Sequence, residues 1–296
     1  MASEWVDEIV AHGRDGDWQL RRIDNFNGKL RLQYRLVHPD FSVEYFYFDG
    51  EMDERGVRLE DMGNRLYHYS QVTLMSQLYH RIAVEHSPNH QAFGDFFEYL
   101  APFNHGLIDA DAIFSAYLQA PIAIQQDRLI RELLLRALMS QGDDWMSTIS
   151  LAVRQRLLAD DYPLLSAVIC MQQALQDCRE AYQQLPEDLH GDVAMVTEIG
   201  IRLLQGDSPA LAASYAQQLA SSQVDYFPAY WLQLQLGIVN QDHRAAVVSL
   251  ENLVQRFDVQ IDKEMVTQLY PELGQQFLQS RPFKRWAQRY AEAELN

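Results

Sequence analysis

The chain has 296 residues, with 24 Lys and Arg against 41 Asp and Glu, for a net charge of −17. A phosphate backbone or an anionic membrane surface repels such a chain unless a basic face is segregated, and the sequence holds no basic cluster, so neither nucleic acid nor membrane is an expected partner. The apolar fraction of 48% supplies a sizeable core, and a globule of this mass would bury roughly 74% of its unfolded surface.

Residues 3–12 read as a short helix, capped by Ser3, with Trp5, Ile9 and Val10 at helical spacing. The period then changes to two. Trp18 to Phe26 and Lys29 to His38 flank Asn27-Gly28, a strong signal for a two-residue hairpin. Its register sets Ile23 opposite Leu32 and Asp24 opposite Arg31. Pro39-Asp40 marks a second turn. Phe41 to Phe48 is a third strand, ended by Asp49-Gly50, and Val57–Leu59 is a weak fourth.

Helical patterns follow at 70–86, 90–100, 109–119, 122–140 and 144–159, then in pairs to the end. Asn89 and Asp109 are candidate caps. Ser87-Pro88, Pro102 with Asn104, Pro121 and Gln141-Gly142-Asp143 separate the segments. Of the 33 Phe, Trp and Tyr, 17 lie in the first 105 residues. A small sheet packed on the first helices needs such bulky fillers. The expected fold is therefore mainly α: an α+β unit over 1–105 with a small antiparallel sheet, then an all-helical array over 106–296 ending in capping helices.

The helical part carries a period of 34. Tyr162, Val196 and Tyr230 fall in register. So do Cys178, Ala212 and Ala246, and likewise Leu185, Leu219 and Leu253. This resembles the tetratricopeptide repeat over about 162–263. The first part of that motif stands here as Tyr162-x2-Leu165-Ser166, Val196-x2-Ile199-Gly200 and Tyr230-x2-Gln233-Leu234. The second stands as Cys178-x3-Tyr182, Ala212-x3-Ala216 and Ala246-x3-Leu250. The clearest copy is the last, with Asn240-Gln241-Asp242-His243 as its turn. The copies depart from the family where its Trp is absent, where Ile169, Leu203 and Gly237 replace its Tyr, and where His190, Val224 and Asp258 replace its Pro. Another stack of α-hairpins fits the same pattern. The last helices, 264–278 and 282–294, bring Phe277, Phe283, Trp286 and Tyr290 to close the array.

Candidate chemistry is sparse. His68, His80, His86, His90 and His105 lie close in sequence with Glu85 and Asp95, but Ser87-Pro88-Asn89 interrupts the one metal-like spacing, and they read as surface or capping residues. Asp49, Glu51, Asp53, Arg55 and Glu60 mimic calcium-loop positions but lack the central Gly, so the segment reads as an acidic loop. No phosphate loop, dinucleotide fingerprint or nucleophile motif occurs, so no metal or cofactor is expected. The two cysteines, Cys170 and Cys178, would stand about 12 Å apart on one helix, too far for a disulfide. With no apolar run long enough to span a bilayer and no leader pattern, the expected location is cytoplasmic.

The resemblance implies that the first helix of each repeat lines a groove. It carries Thr197, Ile201, Trp231 and Gln235 onto that wall, with Trp231 as the anchor for a peptide. The expected function is an adaptor or scaffold that binds another protein, favouring a basic partner. Two alternatives stand beside it. One is an enzyme or ligand-binding protein with a site between the sheet and the helices at 66–105. The other is a self-assembling homo-oligomer.

Overall fold

Asn27 and Gly28 both take positive φ, 53° and 81°. Two successive residues of this kind make the turn whose twist matches a hairpin, and the hairpin forms where the sequence places it. Strand β1 (Asp17–Phe26) pairs with β2 (Lys29–Val37), with Ile23 opposite Leu32 and Asp24 opposite Arg31. His38 to Ser42 makes the second turn, closed by the Phe41 N–H donating to the His38 carbonyl at 2.9 Å. Strands β3 (Val43–Asp53) and β4 (Gly56–Asn64) complete an antiparallel meander in the order β1-β2-β3-β4.

The computed structural model describes residues 13–54, 56–81, 90–104, 109–139, 162–172, 182–206, 208–220, 226–259 and 263–293. The expected helix at 3–12, the helix at 144–159, and His86, His105, Asn89, Cys178 and Val224 lie outside them. The chain divides into two units, Met1–Ser166 and Ala167–Asn296. A four-stranded antiparallel sheet at the N-terminal end is followed by helices, so the fold is mainly α. No helix among the described residues is long and apolar enough to cross a membrane.

The third strand does not stop at Asp49-Gly50. Gly50 stays in the ladder, opposite Leu30 and Leu59, and the strand runs on to Asp53. A Cβ at Gly50 would stand 2.4 Å from the Arg58 carbonyl oxygen, so glycine here permits a close strand contact at a bulge. The acidic loop expected at 49–60 is consequently a β-hairpin. Its carboxylates pair across the sheet: Arg31 grips Asp49 with two bonds of 2.7 and 2.6 Å, and Lys29 meets Glu60 at 2.6 Å. Tyr47 lies across Gly63, whose missing Cβ would be 2.4 Å from the ring. On the other face Leu36, Phe46 and Met62 form a small core, with Trp18 tilted against Phe46 at 5.4 Å between centroids.

Helix α1 (Gln71–Tyr79) starts at Ser70, whose hydroxyl accepts from the Thr73 N–H. Asp61 of β4 anchors that start by accepting from the Ser70 hydroxyl and from the Val72 N–H. Helix α2 runs His90–Asn104, so the chain stays helical through Pro102, where a break was expected. Asp109 caps α3 (Ala110–Gln119) by accepting from the Ala112 N–H at 2.8 Å. The expected single helix at 122–140 is two, α4 (Ile122–Gln125) and α5 (Arg128–Met139). Asp127 ends the first and caps the second, accepting from the Leu129 N–H at 2.9 Å. Gln125 is buried at the joint and donates to the Leu118 and Ala120 carbonyls. Helix α6 (Pro163–Gln172) crosses the division between the units.

The second unit contains a short α7 (Glu187–His190) and then two hairpins: α8 (Val193–Gln205) with α9 (Pro209–Ala220), and α10 (Phe227–Val239) with α11 (His243–Phe257). The turn at Asn240–Asp242 forms as expected: Gln241 takes φ 56°, and Asp242 caps α11 through the Ala245 N–H. Three helices close the chain, α12 (Lys263–Leu269), α13 (Pro271–Gln279) and α14 (Arg281–Ala293). Two were expected. Pro271 lacks an N–H to continue α12 and opens α13 instead. Phe277, Phe283 and Trp286 are buried against Leu250, Leu253 and Val266, which seals this end of the unit.

Candidate functional site

Residue identity and helix phase decide what α8 and α10 present. Both helices are rich in apolar side chains, and the alternating demands of a hairpin partner and a neighbouring hairpin bury most of each one. Of the four residues carried over from the repeat resemblance, Thr197 is fully buried, and its Oγ1 has no hydrogen-bond partner among the described residues. Gln235 is also buried, and its Oε1 accepts from the Tyr270 hydroxyl at 3.2 Å. Ile201 and Trp231 are half-buried. Trp231 stacks on Phe227, one turn earlier, with 13° between ring planes, and it packs on the apolar cluster that includes Leu250 and Phe277.

Next to Thr197 stands Glu198, which no motif or spacing singles out. Burial pushes its carboxyl above the usual carboxylate range, while the Arg202 guanidinium one turn on acts in the opposite direction. Arg202 in turn donates to Gln205 at 3.2 Å. At the far end of the second hairpin, the Arg256 guanidinium donates to the Tyr230 hydroxyl and lies 5.5 Å from that ring. Helices α8 and α10 thus carry, beside their apolar residues, the Phe227–Trp231 pair, Glu198 and Arg202, with Arg256 on α11. Side chains of these kinds can hold apolar groups and one or two donors.

The first unit was the expected place for an alternative site, between the sheet and the helices at 66–105. In that unit a buried ion pair of α5 meets the segment just before α1. Glu132 of α5 is fully buried and accepts from the His68 N–H at 3.0 Å and the Tyr69 N–H at 3.1 Å. Arg136, one turn on, donates to Glu132 at 2.7 Å and to the Tyr69 carbonyl at 2.5 Å, and covers the Tyr67 ring at 4.4 Å. Burial pushes the Tyr67 hydroxyl up to about 12, against the opposing pull of Arg136. A carboxylate with three donors and a guanidinium with two acceptors make a structural tie. The His68 ring lies 4.5 Å from that of Tyr162, and His90 Nδ1 is 3.1 Å from the Arg81 carbonyl. No group of three or more His, Cys, Asp or Glu able to hold a metal occurs among the described residues. A shallow cleft of about 600 Å³ does open on the sheet, lined by Ile23, Leu30, Gly50 and Met52 with Asp24 and Glu51 at its margin.

No family model, no curated protein and no solved structure matches this chain.

Proposed function

We propose that the chain is a protein-binding adaptor that takes a peptide or helix of another protein along the face of α8 and α10. One observation carries this reading. The two hairpins start in step: Val193 and Phe227 open their first helices, Pro209 and His243 their second, and each pair is 34 residues apart. A helix–turn–helix unit repeated at this spacing supports the tetratricopeptide-like reading, in which stacked hairpins bind extended or helical segments. Trp231 is the anchor of the reading, because a partly exposed aromatic on a rigid helix loses little entropy on contact. The charge of −17 favours a basic partner, and arginines and carboxylates at the rim set its register.

Capture from the native extract by the full-length chain tests it. A single stoichiometric partner, lost in Trp231→Ala while far-UV circular dichroism is unchanged, supports the reading. A partner retained at full affinity by Trp231→Ala, or no partner at all, overturns it.

A further inference from the structure

The sheet of the first unit has one face that is covered at one end and open at the other. Directly opposed residues of an antiparallel sheet share a face. The register puts Leu20 in a row with Tyr34 and Phe46, Ile23 with Leu32 and Phe48, Leu30 with Gly50 and Leu59, and Met52 with Val57. Where Trp18 lies over Phe46 this face is core. Toward the hairpin ends it is bare: Leu20 is 48% exposed, Ile23 57%, Leu59 57%, Val57 41% and Met52 71%. No charged residue falls in these rows. Glu44 shares this face only at its covered end, where it meets His38 at 2.8 Å and Asn64 at 3.0 Å, while Arg31 with Asp49 and Arg58 with Glu51 pair on the opposite face.

From this geometry we infer that the chain forms a two-fold dimer, in which the open half of this sheet face packs on the same face of a second copy. Three features select a copy over another occupant. First, the bare side chains are uncharged, and the two carboxylates at the cleft are already held, Asp24 by Arg22 at 2.5 Å and Glu51 by Arg58 at 2.7 Å, so an identical patch meets it without an unpaired charge. Second, the five bare side chains expose roughly 500 Å², at the upper end for a monomer's largest patch, and two copies together reach about the 1,000 Å² a specific interface needs. Third, the sheet is guarded against edge-to-edge addition. β1 carries a bulge at Arg21 with Arg22 and Asp24 beside it, and β4 carries Arg58, Glu60 and Asp61, so the face is the unguarded surface. Two sheets meeting this way pack about 10 Å apart. The cleft lined by Ile23, Leu30 and Gly50 gives each copy a seat for the Met52 side chain of the other.

Sedimentation velocity on the full-length chain, from micromolar to submillimolar concentration and at low and high salt, tests the dimer. Association should tighten with salt, because screening weakens repulsion between two chains of −17 while apolar burial is unaffected. Met52→Glu and Leu59→Glu should each weaken association at least tenfold with circular dichroism unchanged. Val248→Glu, at an exposed position in the second unit, should leave it as it was. A chain that stays monomeric throughout, as it would if residues 1–12 or another protein covered the patch, overturns the inference. So does a dimer that weakens with salt, or one whose dissociation constant is unchanged in Met52→Glu.

Discussion

Gly237 of α10 sits against Ala246 of α11 so closely that a Cβ on the glycine would stand 2.7 Å from the Ala246 nitrogen and 2.9 Å from its Cβ. This is the crossing point of the second hairpin. The repeat pattern expects an aromatic residue at the position Gly237 occupies and a small one at that of Leu234; here the glycine has taken over the close approach. Gly237→Ala should therefore cost about 1–3 kcal/mol, since the clash is with backbone that cannot rotate away. Urea unfolding monitored at 222 nm measures it, and a loss of less than half a kcal/mol would show that the helices separate freely.

Glu132→Ala should be among the most damaging substitutions in the first unit. It leaves the N–H groups of His68 and Tyr69 without their acceptor and Arg136 without its carboxylate in a buried setting. Removing one partner of a buried pair costs about 3–5 kcal/mol. Glu132→Gln keeps an acceptor oxygen and should lose less. Thermal unfolding of both variants checks the ranking.

Arg31→Lys should not behave as a conservative change. The guanidinium makes two bonds to Asp49 while lying 3.6 Å from the centroid of Phe26 and 4.1 Å from that of Tyr47. An ammonium keeps the charge but loses the fork and the stacking. A loss of about 1–2 kcal/mol in Arg31→Lys is expected, close to that of Arg31→Ala, and denaturant midpoints compare the two.

Alkaline pH should weaken the first unit through Tyr67. Its hydroxyl is pushed up to about 12 by burial, above the ordinary value of 10.0. The folded state holds the proton more tightly than the unfolded state does, so the stability is fully present below pH 10 and is lost as the pH rises toward 12. Tyr67→Phe removes a contribution of no more than about 2–3 kcal/mol to that decline. Tyr182, also pushed up to about 12, chiefly by burial, leaves a residual slope. Unfolding free energy measured across this pH range in both proteins reads the difference.

The parts of the fold that were legible in the sequence are those whose cause is local. Asn27-Gly28 dictates its own turn, and that turn dictates the register of Ile23 with Leu32. Asp109 and Asp242 cap helices by bonds to backbone three residues on. What could not be read depends on distant partners. Gly50 looks like a strand end until Leu30 and Leu59 are placed on either side of it. Glu132 looks like one more surface carboxylate of an acidic chain, and only the approach of His68 and Tyr69 shows it to be buried. Asp127 splits a helix that its flanking apolar pattern joins; Arg81, which meets it at 2.6 Å, lies 46 residues away. At the candidate site, periodicity located α8 and α10 but not the depth of individual side chains. Thr197 and Gln235 were expected on the wall, and both are buried.

The four-stranded meander and the Glu132 tie also set an order of assembly. Every strand pairs only with its neighbour in sequence, so the sheet can form from short loop closures. The bond from the Tyr69 N–H to Glu132 joins residues 63 apart and must wait for a far larger closure. Stopped-flow refolding should place the Ile23–Leu32 contact in the rate-limiting step and leave Glu132→Ala acting mainly on the unfolding rate. The same carboxylate that locks the finished unit would then act as its latch against opening, setting how long it stays closed and not how fast it closes.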